Sequence, residues 1–352
     1  MADWLSSMQQ TYEYYIVNPN TWKDGKQIQN VISCTIDRDS EASTLGSATI
    51  DVVDSLGECY VRTYLITIQN GIREKHPLGT HIVQTPSSSF DGKIRSVSMD
   101  SYTPLLELKE SPPPLGYYIP KGENVMDAAY RLTREHVRAP VVKPKCDTTL
   151  FHNFVSDTND TWITFLSDLI ANAKHTFDLD EMGRVLFSPK QDTASLQPVW
   201  TFDDGNSSIL YSDIDMDRDL YGIPNVVEVI YSSGNEHYYS KVVNDDPNSP
   251  ISTVNRGREI VHRETNPSLI GDPTENRIQE YAEQLLASLS TLEYTVTYTH
   301  GYCPVRNGDC VRLNYSRAGL KNVKAKVIKQ SIKCEPGCPV TETAVFTTKL
   351  WE

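Results

Sequence analysis

The sequence predicts a mainly β fold with α+β insertions, and three observations carry that expectation. Its 352 residues include 19 tyrosines and 20 prolines, which with many Thr and Val residues favour pleated strands broken by frequent turns. Several segments alternate apolar and polar residues with period two. Helical periodicity is confined to a few short segments. The length allows one large domain or roughly two to four smaller ones, each able to bury a core.

The first segment is predicted as a short amphipathic helix, because Trp4, Leu5, Met8, Tyr12 and Tyr15 recur at helical spacing. Strands follow. In 48–52 the apolar residues share one face, and in 60–68 Tyr60, Arg62, Tyr64, Ile66 and Ile68 oppose a smaller, more polar set. Two more strands fit 80–84 and 93–99, separated by the polar turn Ser87-Ser88-Ser89-Phe90-Asp91-Gly92. Residues 1–112 thus read as a compact β unit, sandwich or barrel. Pro112-Pro113-Pro114 ends it, since consecutive prolines force extended backbone and remove donors.

Beyond the prolines the period becomes helical. Met126, Ala129, Tyr130 and Leu132 mark a helix in 123–137, and Trp162, Phe165, Leu166, Leu169 and Ile170 form a clean stripe in 160–173. A hairpin in 177–187 closes a small α+β region placed at 113–196. The second β region, 197–352, offers strands at 224–231, 294–299, 309–315, 323–333 and 340–350. A helix is inserted in it at 273–289. Asp272 is its expected cap, Pro273 suits the first turn, Glu275 sits where a capping box would place it, and Ile278, Tyr281, Ala282, Leu285 and Leu286 form its buried stripe. Leu78-Gly79-Thr80-His81-Ile82-Val83 and Asn307-Gly308-Asp309-Cys310-Val311-Arg312 echo each other faintly, each with a glycine just before a strand.

Charge narrows the function. Lys plus Arg number 33 and Asp plus Glu 46, a net charge of −13, which argues against a protein that grips phosphates through clustered cations. No apolar run approaches the roughly 18–20 residues that span a bilayer, and the first residues show no signal peptide. Seven scattered cysteines, an odd number in a long chain, fit folding in a reducing cytoplasm. Phosphate-cradling, dinucleotide, zinc-protease, Cys-x-x-Cys and nucleophile-elbow motifs are all missing.

The most unusual pattern is Ser212-Asp213-Ile214-Asp215-Met216-Asp217-Arg218-Asp219-Leu220. On a strand, Asp213, Asp215, Asp217 and Asp219 would share one face about 6.6–7 Å apart. The readings open at this point are a solvated acidic edge that resists aggregation, a loose calcium cage, a glycosidase carboxylate pair, and a surface whose negative potential is the function. An EF-hand fails, because Arg218 and Pro224 stand where Gly and Glu are needed. Cys303, Cys310, Cys334 and Cys338, with His300, are expected as partly buried free thiols, with structural zinc as the alternative. Arg312, Arg317, Lys321, Lys324, Lys326, Lys329 and Lys333 form a basic stretch without an acid, a solvated face or a meeting place for an acidic partner.

Two stretches carry a family resemblance: 78–83 followed by 102–108, Tyr118-Ile119-Pro120-Lys121-Gly122 and a helix, and 213–231, where the acidic run leads into Pro224-Asn225-Val226-Val227-Glu228-Val229. This order, continuing through 273–289 and Gly308-Asp309-Cys310-Val311, resembles the tail hub proteins of tailed bacteriophages. These are also called baseplate hub or late-control D-like proteins, with relatives in prophage-derived bacteriocin particles and type VI secretion spikes. The resemblance implies a homotrimer in which two similar β-barrel domains per chain, plus a small helix-containing domain, build a six-part ring matching a hexameric tail tube. It implies as partners the tail tube protein, distal tail or baseplate proteins, a spike or tail-tip protein, and tape measure protein in a central channel, with DNA only as passing cargo during genome ejection and host cell entry. It implies no catalysis, cofactor, metal or membrane, and a virion tail assembled in the bacterial host cytoplasm. The alternative is a carbohydrate-binding or cell-wall-hydrolysing tail protein, favoured by the Tyr and Trp content and the 213–219 run. Residues 201–220 hold six Asp against one Arg, so on the hub reading Asp213, Asp215, Asp217 and Asp219 are candidate channel-facing residues that keep DNA from sticking.

Overall fold

The computed structural model describes residues 2–349, apart from 55, 91, 94, 192, 206–207, 219–220, 234–235, 266 and 268–273. The fold is mainly β. In chain order come β1 (Gln9–Val17), β2 (Asp24–Ile28), β3 (Val31–Asp39), β4 (Gly46–Val52), β5 (Tyr60–Gln69), β6 (Ile72–Phe90), β7 (Arg95–Tyr102), α1 (Leu106–Lys109), β8 (Tyr118–Ile119), α2 (Val125–His136), β9 (Phe154–Val155), α3 (Trp162–Ala171), β10 (His175–Leu179) and β11 (Val185–Pro189). Then follow β12 (Trp200–Asp203), β13 (Leu210–Arg218), β14 (Val226–Ser233), β15 (Glu236–Val243), α4 (Thr253–Arg256), β16 (Val261–Thr265), α5 (Glu275–Leu289), β17 (Thr291–Gly301), β18 (Cys310–Tyr315), β19 (Leu320–Lys333) and β20 (Pro339–Lys349). The chain forms two compact units, Met1–Ile214 with Thr297–Ala344, and Asp215–Val296 with Val345–Glu352.

In the first unit, antiparallel ladders run in the order β2-β1-β5-β6-β7-β4-β3-β19. The N-terminal helix expected from sequence is instead β1, paired along its whole length with β5 from Gln9↔Ile68 to Val17↔Tyr60. A strand wins because Tyr- and Thr-rich sequence suits a pleated surface, and β5 offers a fully buried neighbour: its first eight residues are buried on both faces. β5 and β6 join at Asn70-Gly71, both at positive φ, as a tight hairpin turn asks. The expected serine turn is strand as well, since Ser87, Ser88 and Ser89 pair with Ser98, Val97 and Ser96 of β7.

The long β19 divides its partners. Its N-terminal half pairs with β18 and its last five residues with β3; β18 in turn pairs in parallel with β12. Among the described residues the strand path is open, running from β2 to β13. The closed barrels implied by the resemblance are therefore not formed by hydrogen bonding. Side chains fill the second region instead: Phe202 of β12 lies 4.5 Å from His300 and 5.3 Å from Tyr298 of β17, centroid to centroid, and Tyr315 Oη donates to the Ser212 carbonyl at 3.4 Å.

The region 113–196 has its own core. Trp162, Phe165, Leu166, Leu169 and Ile170 of α3 are buried as their spacing predicts, against Met126, Ala129 and Leu132 of α2 and Phe177 and Phe187 of β10 and β11. Each such large side chain contributes about 1.5–3 kcal/mol when fully buried. The expected hairpin is present, with Phe177↔Phe187 in register. Asn124 starts α2, its side chain accepting from Met126 N and Asp127 N.

The second unit packs α5 on a sheet of order β15-β14-β16, through Val227, Val229, Val242, Ile278, Ala282 and Leu286. Its cap is Thr274, which accepts from Arg277 N, and Glu275 is the first helical residue rather than the third. The expected cap Asp272 and first-turn Pro273 lie outside the described residues. Asn225 is fully buried: its amide donates to the Ile251 and Arg258 carbonyls and its oxygen accepts from Ile260 N. The Pro224-Asn225 motif thereby pins the excursion between β15 and β16 to the start of β14.

Candidate functional site

The acidic run forms β13, the terminal strand of the long path. Asp213, Asp215 and Asp217 are all exposed, with Tyr211 and Met216 exposed beside them and Ile214 half-buried. Asp219 lies outside the described residues. Both faces of the strand are accessible, and Asp213 keeps a local bond from Ser212 Oγ at 3.2 Å. A row of carboxylates in water at this spacing supplies negative potential rather than a desolvated acid or base. Among the described residues no group of three or more His, Cys, Asp or Glu side chains is placed to hold a metal.

The cysteines are dispersed. Cys334 lies opposite Cys34, its N–H donating to the Cys34 carbonyl at 2.9 Å, and Cys338 joins the same apolar core. Cys303 instead approaches His300 Nδ1, with Sγ 3.8 Å away, and Cys310 sits on β18. Burial pushes the Cys303 thiol up, and the Cys338 thiol up to about 11. Buried thiols in this state are poor metal ligands and nucleophiles near neutral pH.

Sequence reading missed the polar cluster inside the second β region. His300 and Glu342 are fully buried and face each other, with Nε2 and Oε1 3.3 Å apart. The Glu342 carboxylate also accepts from Tyr298 Oη and from Gln330 Nε2, both at 2.6 Å. Gln330 in turn accepts from Arg38 Nη1 at 3.0 Å, and Arg38 Nη2 donates to the Leu78 carbonyl at 2.6 Å. Burial, then the Glu342 charge, drives the Tyr298 hydroxyl well above its usual range. Such a network fixes one arrangement of strands, because each member left alone would be an unsatisfied buried polar group.

A second junction lies at the turn between β10 and β11. Arg62 is 1 % exposed. It donates through Nε to Thr80 Oγ1, through Nη1 to Asp24 Oδ1 and through Nη2 to the Met182 carbonyl, at 2.8, 2.7 and 2.9 Å. Trp22 Nε1 donates to the same carbonyl at 2.7 Å. Glu181 beside it pairs with Arg306 at 2.7 Å and lies 3.8 Å from Arg38. One turn thus ties the first β region, the α+β region and the second β region of this unit together. The partners lie 18 to 160 residues apart in sequence, so local spacing gave no signal beyond an arginine on an otherwise apolar strand face.

The two glycines of the faint echo do different work. A Cβ on Gly79 would meet His81 Cε1 at 2.6 Å, whereas Gly308 faces open space and is needed for its φ of +91°. A cleft of about 940 Å³ opens beside these residues in the first unit, lined by Arg38, His81, Glu181, Arg306 and Lys326 among others.

The sequence matches no protein-family model and no curated protein. Solved structures do match. The tail protein from Neisseria meningitidis MC58 aligns with a TM-score of 0.63 at 14% identity, covering 96% of this chain and 96% of that chain. The 43 kDa tail protein of prophage MuSo2 from Shewanella oneidensis aligns with a TM-score of 0.61 at 11% identity, covering 95% of this chain and 98% of that chain. A chain of the Francisella PdpA–VgrG complex aligns with a TM-score of 0.57 at 8% identity, covering 96% of this chain and 58% of that chain. The fold is therefore one found in phage tail proteins.

Proposed function

We propose that the chain is a structural hub of a bacteriophage tail, a ring-forming adaptor between the tail tube and the tail tip or spike. The observation that carries this reading is the end-to-end agreement in fold with two tail proteins, over 95–96% of this chain and 96–98% of theirs. On this reading three copies surround a central channel, contact tail tube, distal tail or baseplate, spike and tape measure proteins, and let DNA pass during genome ejection and host entry. The virion tail is the resulting location, with assembly in the host cytoplasm. Asp213, Asp215 and Asp217, and with them Asp219, would face the bore and repel the phosphates of moving DNA. Their exposure along β13 supports this role. Sedimentation tests the reading: the hub should run as about 119 kDa, three copies of 39.7 kDa. A chain that stays at one copy across the micromolar range rules it out.

A further inference from the structure

The basic stretch has no counterpart in the proposed channel. Residues 310–334 contain seven of the 33 cations and none of the 46 acids, so this hairpin is a cationic island on an acidic protein. The ladder between β18 and β19 sorts its side chains. Val311, Leu313, Ala325 and Val327 are buried, which turns Arg312, Lys324 and Lys326 to the other face, with Thr201 of β12 directly opposite Arg312. Arg312 and Lys324 are themselves cross-strand partners, and like charges so placed repel.

Within the chain little answers them. Among the described residues no ion pair reaches Arg312, Arg317, Lys321, Lys324 or Lys326, whereas Lys329 further along β19 has both Asp39 and Glu41. Arg312 Nε is buried without a hydrogen-bond partner. Lys324 Nζ reaches only a carbonyl, that of Leu196, at 3.3 Å. Asp203, two residues beyond Thr201 on β12, has Oδ1 held by Gly205 N at 2.9 Å.

We propose that this face of β18 and β19 is the seat for an acidic surface of a second copy of the chain, resting on the ring reading above. Charge complementarity supports this seat. Copies that each carry −13 repel one another, so self-assembly needs a local site of opposite sign, and this stretch supplies one. Carboxylates of the neighbour would relieve the Arg312–Lys324 repulsion and reach a guanidinium that its own chain leaves short of partners.

The test compares wild type with Arg312→Gln/Lys324→Gln, and with Lys326→Gln as a milder second variant. Sedimentation is followed against concentration at low and high salt, and thermal unfolding serves as the check on folding. Compared at a dilution where both run as single copies, the double variant should melt no lower than wild type, because a like-charge pair is removed, yet it should need at least about tenfold more protein to form rings. Wild-type rings should weaken as salt rises. A zero-length carbodiimide cross-linker should join Lys324 or Lys326 of one copy to an Asp or Glu of another. Variants that form rings at wild-type concentrations overturn this proposal alone, while a wild-type chain that never leaves the monomer overturns the ring reading and this proposal with it. A short DNA duplex bound by wild type and lost by the variant, with rings unaffected, overturns it in favour of nucleic acid.

Discussion

His81 shows how one side chain constrains its neighbours. Its ring lies over Gly79, so Gly79→Ala should cost about 1–3 kcal/mol from overpacking. That cost should shrink when His81→Ala is added, since removing the ring removes the obstacle. Denaturant titration of the two single variants and the double variant measures the coupling, and equal costs in both backgrounds would refute the contact. Burial, then the nearby Arg38 charge, holds the His81 imidazole down to about 3, and its Nδ1 has no hydrogen-bond partner. A base whose folded pKa lies below its unfolded value stabilises fully above about 6.5, where both states are neutral. From there down to about 3 only the unfolded chain takes the proton, so His81 should cost about 1.4 kcal/mol per pH unit as acid is added. Stability curves for His81→Asn should be shallower by one proton over that window. Arg62 is a further case. Arg62→Met removes a donor from Thr80, from Asp24, which keeps Tyr64 Oη and Lys75, and from the Met182 carbonyl, which keeps Trp22 Nε1, and about 1–3 kcal/mol of stability should be lost in the same titration.

Helix caps allow a direct comparison between local signal and outcome. Asn124 satisfies two N–H groups of α2 and Thr274 one of α5; Asn124→Ala and Thr274→Ala should each lower stability by about 0.5–2 kcal/mol. No change on either substitution would mean that packing alone holds the helix start. These elements also show what was legible in the sequence. The stripe of α3 and the hairpin of β10 and β11 were readable because each shows in the spacing within its own segment, and periodicity alone decides which face is buried. The first strand was not readable, because Trp4, Leu5, Met8, Tyr12 and Tyr15 fit a helix until β5 arrives from some fifty residues away to pair with the stretch that holds Tyr12 and Tyr15. The serines of β6 read as a turn by composition, and ladder bonds to β7 override that preference. The candidate site was half legible. The acidic strand stood out through alternation, but the Arg62 and Glu342 networks join residues from distant elements whose individual identities carry no pattern.

For the molecule as a whole, the −13 charge first excluded a protein that clamps nucleic acid, and its distribution refines that view. Carboxylates concentrate along the exposed β13, and the acid-free hairpin of β18 and β19 provides the opposite sign. An acidic lumen with cationic contacts between copies would let a ring assemble without trapping the DNA it passes. The junctions at Met182 and Glu342 would keep the first unit rigid within such a ring, since each ties together strands distant in sequence. Electron cryomicroscopy of the purified assembly decides the matter. Three copies are expected about one axis with a through-going bore, and the Asp213, Asp215 and Asp217 side chains on its wall. A particle without threefold symmetry, or a ring with these three residues on its outer surface, would show that the hub and its acidic channel are wrongly assigned.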